Sequence, residues 1–223
     1  CIRDSCRFID MDCLIHSGNT FAYCCNSPAS MHDVCGTTGD YAYDRDKVIE
    51  YGRQYYNKQD PYYPQRSYRN NCVRFASQCL YAGLGDDIIA EVYPEWHCYR
   101  NNQRDPENPE EHDQTRSWRK TNYFYRFLMD SGLAYNTTRL YSGWDLGLMA
   151  EWFQYEPGDF LFFSNGNGAD EFYHVAVVSA ITENDILFMG NTTDCFDASL
   201  TAWFQDPENQ EKEVVIVCIA DQG

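Results

Sequence analysis

The chain has 223 residues, and 17 basic against 34 acidic side chains give it a formal net charge of −17. Such a charge repels phosphate backbones and anionic lipid, which argues against nucleic-acid and membrane-surface partners, and no run of about 18 apolar residues offers a membrane span. Eleven cysteines, with no signal peptide ahead of them, read as the mature form of a secreted, extracellular protein; ten can pair, leaving one thiol over.

The length suits one main domain with a small appendage, expected to be a monomer. Residues 1–40 form the appendage, a disulfide-rich module with Cys1, Cys6, Cys13, Cys24, Cys25 and Cys35 among turn-forming residues. It reads either as a wall- or carbohydrate-binding module or as a stapled cap. His16 and His32 lie there without a CxxC pair, so zinc is a weak reading, and no cofactor is expected.

The main domain spans 43–223. Asp44 can cap a helix through Tyr55, with Val48, Tyr51, Gly52 and Tyr55 on one face and Asp60-Pro61 as its stop. Asn71 can cap a second helix, in which Cys72, Ala76, Cys79, Leu80 and Gly83 repeat at helical spacing. Residues 104–113 read as a charged surface loop. Ser117 can cap a helix over 118–131, and a short helix fits 145–153. After Pro157-Gly158-Asp159 the period becomes strand-like, with runs at 160–163, 174–181, 186–189 and 214–220. Helices first and an antiparallel sheet second predict an α+β domain.

Cys72 falls in the first turn of its helix, where unpartnered N–H groups and the macrodipole favour a thiolate. In a cysteine-rich chain a disulfide half is the ordinary fate of such a residue. Cys79, Cys98, Cys195 and Cys218 can supply two bridges and leave Cys72 free. A thiolate nucleophile needs a base to share its proton, and His174 opens a strand after a Gly-bearing loop while the other histidines fall in irregular segments. The following strand returns Asn191 and Asp194 to the level of His174, where either can orient an imidazole; Asn191 is preferred. Asn191-Thr192-Thr193 and Asn136-Thr137-Thr138 are also glycosylation sequons, and a glycan on Asn191 would block the site.

The segments Tyr43 to Val48, Asn71 to Leu80, Ser117-Trp118, Pro157 to Phe163 and His174 to Val178 occur in an order that resembles the putative amidase-domain family of papain-like cysteine hydrolases. The last two segments also resemble NlpC-type cell-wall peptidases. The resemblance implies a papain-like fold with Cys72 as nucleophile, His174 as base and a third polar residue near Asn191, acting on amide bonds of peptidoglycan peptides. This chain departs from the family's usual pattern in Asn71-Cys72-Val73-Arg74, where the family has Asp-Cys-Thr-Asn, and at Asn191, where histidine is usual. The expected activity is therefore that of a secreted cysteine amidohydrolase or peptidase working through an acyl-enzyme. Gln65 or Tyr68 can add an oxyanion donor, with nothing to choose between them. The rival is a non-catalytic secreted binding protein on the same scaffold. A zinc hydrolase is disfavoured, since the chain lacks HExxH.

Overall fold

A computed structural model describes residues 42–63, 71–85, 93, 95–98, 114–166 and 171–221, all within the unit 40–223. The expected module at 1–40 lies outside the described residues, as do Gln65 and Tyr68. The elements in chain order are α1 (Arg45–Tyr55), α2 (Cys72–Leu84), α3 (Thr121–Asp130), β1 (Ala134–Tyr141), α4 (Leu146–Phe153), β2 (Phe160–Ser164), β3 (Phe172–Ile181), β4 (Ile186–Gly190), β5 (Cys195–Ser199), α5 (Leu200–Gln205) and β6 (Glu213–Ile219).

The six strands form one sheet in the order β1-β6-β2-β3-β4-β5, every pairing antiparallel. The domain is α+β, as expected. Strand alternation sorts the apolar side chains onto two faces. Phe160, Phe162, Val175, Val177, Val215 and Val217 pack with α1, α2 and α3. Leu161, Phe163, Ala176, Val178, Val214 and Ile216 pack on the other face with α4 and α5. Helices therefore cover both faces, so the central strands read as continuous apolar runs with no visible alternation.

Asp44 and Asp145 cap α1 and α4, their carboxylates accepting from Lys47 N and Leu148 N. Two other expected caps differ. Asn71 has φ −88° and ψ −5°, a helical rather than an extended conformation, and makes no side-chain cap. Ser117 gives its hydroxyl to Glu95 O, and α3 starts only at Thr121.

α1 is tied to the sheet by Arg45. Its Nη1 donates to Asp159 Oδ1 at 3.0 Å and to Pro157 O at 2.9 Å, and its Nη2 donates to Ile219 O at 2.6 Å. Asp159 is 0 % exposed, and its other oxygen accepts from Glu156 N. Burial lifts the Asp159 carboxyl to about 6 against the pull of these N–H groups and of Arg45.

The expected bridges in the main domain are not formed: Cys72, Cys79, Cys98, Cys195 and Cys218 are all free. For one pairing the reason is plain. Cys79 lies in the α2-side core and Cys218 in the opposite core, with the sheet between them.

Candidate active site

Cys72 is the first residue of α2 and is 6 % exposed. Burial raises its pKa; the N–H of Val175 on β3 opposes most strongly, followed by the Val73 N–H and the Thr192 hydroxyl. Burial wins, so the resting group is a thiol. The thiolate expected from the helix start is not the resting form, because desolvation of a buried sulfur outweighs the donors around it.

Asn71 gives its side-chain N–H to Asn191 Oδ1. Asn191 sits in the turn after β4, is 1 % exposed, and its Nδ2 shares its two N–H groups among Tyr55 O at 2.6 Å, Tyr56 O at 3.0 Å and Lys58 O at 3.1 Å. Its amide is thus committed on both atoms, the oxygen to the residue before Cys72 and the nitrogen to the end of α1. The expected bond from Asn191 to the His174 ring is not made. Burial also keeps a glycan off Asn191, removing the conflict posed by its sequon, whereas Asn136 is half-buried on the edge strand β1.

His174 pairs with Phe163 across β2 and β3, and the two rings lie 5.3 Å apart. Phe163 belongs to the face opposite α2, so the imidazole leaves the sheet on the side away from Cys72. Its Nε2 lies 4.0 Å from where a Cβ on Gly190 would stand, and Cys195 Sγ lies 3.6 Å from the same point. Burial lowers the His174 pKa to about 4, leaving the ring neutral. Cys72, Asn71, Asn191 and the Val175 N–H thus come together, while the His174 ring stands one residue from Val175 on the other face. Asp194 closes the same turn with φ 46°.

Beside the mouth of α2 is a shallow recess of about 20 Å³, bordered by Gln59, Asn71, Arg74, Gln78, Gln114 and Trp118. The indole N–H of Trp118 is buried and has no hydrogen-bond partner among the described residues. The recess meets Asn71 rather than the sulfur itself. Among the described residues no three His, Cys, Asp or Glu side chains converge to hold a metal ion, and no helix is long and apolar enough to cross a membrane.

One element beside the site was not expected from the sequence: β5, which brings Cys195 beside Gly190. The Asn191–Asp194 turn was expected, but Asn191 bonds Asn71 and the end of α1 rather than the imidazole. Residues 42–215 match the family described as "Putative amidase domain". No curated protein matches the chain, and no solved structure does.

Proposed function

For a chain that belongs to the putative amidase-domain family, and is by that description a hydrolase of C–N bonds, we propose a cysteine mechanism of papain-like, NlpC-like type acting on peptidoglycan peptides outside the cell. The observation that carries the reading is Cys72: the first residue of a helix without a side-chain cap, its sulfur drawn on by the Val175 N–H. Open first-turn N–H groups are donors for the oxyanion of an attacked carbonyl.

In the proposed cycle His174 takes the Cys72 proton as sulfur bonds to the amide carbon. The C–N bond then breaks, the departing nitrogen takes that proton, and water hydrolyses the thioester. At rest the ring is neutral and, with burial holding its pKa near 4, a weak base, so it can act on Cys72 only after leaving that buried position. The ring has to reach the side of Cys72 for this. Tyr173 is an extra residue at a bulge, because Phe163 faces His174 while Ser164 faces Phe172. A one-residue slip at a bulge moves a side chain to the other face, so substrate binding is proposed to bring His174 across.

The resting orientation of His174 favours a second reading, a binding protein that has kept the scaffold. Purified wall sacculi decide between them. Release of peptide fragments by the wild type, abolished in Cys72→Ala and in His174→Ala with the fold intact, supports the hydrolase; no release by the wild type supports the binder.

A further inference from the structure

The amide of Asn191 can be oriented in only one way. Three backbone carbonyls lie 2.6, 3.0 and 3.1 Å from Nδ2, and carbonyls only accept, so the nitrogen must face them and the oxygen must face the Asn71 amide. Two of those carbonyls, of Tyr55 and Tyr56, belong to the end of α1, where the helix provides no partner of its own. One buried side chain therefore joins the end of α1 to the residue that precedes Cys72.

We infer that Asn191 is a positioning residue for the nucleophile: it clamps the mouth of α2 against the end of α1 and holds the Asn71 side chain away from the first-turn N–H groups. Asparagine is among the most effective helix caps, and an Asn71 freed from Asn191 can turn its oxygen onto those N–H groups and occupy the donors an oxyanion needs. The helical ψ of −5° at Asn71 and its missing cap bond are what such a restraint produces. Thr192, the next residue of the turn, then meets the Cys72 sulfur from a fixed position. This inference rests on Cys72 being the reacting group.

Asn191→Asp tests it, since the isosteric carboxylate sets an oxygen against three carbonyl oxygens. The readouts are kcat and KM on purified sacculi, and the pH profile of iodoacetamide alkylation at Cys72, mapped by mass spectrometry. The expected result is a fall in kcat on the order of 10²-fold with KM little changed, and a displaced alkylation profile. Part of the loss returns, relative to the wild type, as the pH falls and the new carboxyl takes up a proton to become a donor. Asn71→Ala leaves the carbonyls at Asn191 paired and removes the amide that could cap α2, so it reads the clamp alone and is expected to lower kcat about tenfold, the equivalent of one hydrogen bond; should Asn191→Asp fail to fold, Asn71→Ala decides whether the clamp positions Cys72. If Cys72→Ala is inactive while the folded Asn191 and Asn71 variants keep wild-type kcat and alkylation profile, the clamp is wrong and the cysteine hydrolase stands. If Cys72→Ala turns over sacculi normally, both fall.

Discussion

At the scale of single residues, the proposed catalytic pair is two neutral groups on opposite sides of one strand. Burial raises the Cys72 thiol and lowers His174 to about 4, so the resting pair carries no charge near neutral pH. A histidine that refuses a proton when folded but takes one near 6.5 when unfolded makes the unfolded state bind more protons between those values. Its contribution is therefore present above about 6.5 and lost as the pH falls towards 4. Comparing His174→Asn with the wild type isolates it: the variant should gain up to about 3 kcal/mol on the wild type between pH 7 and pH 4, read from urea melts. A constant difference over that range would mean that the ring is solvated. Cys72 was legible because its helix repeats visibly; the face taken by His174 was not, because His174-Val175-Ala176-Val177-Val178 is apolar on both sides. The partners of Asn191 were out of reach for another reason, since Asn71 lies 120 residues away in the chain.

At the scale of elements, α1 and α2 meet so closely that a Cβ on Gly83 would stand 2.6 Å from both the Tyr43 ring and Val48 Cγ2. Gly83→Ala should therefore cost about 1–3 kcal/mol through overpacking, measured as a lower midpoint in urea, and an unchanged midpoint would show that the two helices separate easily. The central strands and four of the five helices described could be read from period and turn chemistry, α5 being the exception. β1 could not, because Tyr135 to Arg139 reads as polar, loop-like sequence and only its edge position tolerates that. β5 was missed for a similar reason: it is short, lies at the other edge, and carries Asp197 at φ 57°.

At the scale of the whole molecule, Arg45 and Asp159 lock the first helix to the last strand. Removing one partner of a buried pair strands the other, so Arg45→Ala should cost about 3–5 kcal/mol; a loss under about 1 kcal/mol would show that Glu156 N and Ile219 N alone satisfy Asp159. Among the described residues every cysteine is free. Alkylation in denaturant without reductant should label Cys72, Cys79, Cys98, Cys195 and Cys218 alike, and a protected pair among them would contradict the fold as described. The central claim is that this domain breaks amide bonds through the sulfur at the mouth of α2, and turnover of purified sacculi by folded Cys72→Ala tests it most directly. The account predicts that the wild type releases peptide fragments and the variant releases none; fragments released at the wild-type rate by the variant would contradict it.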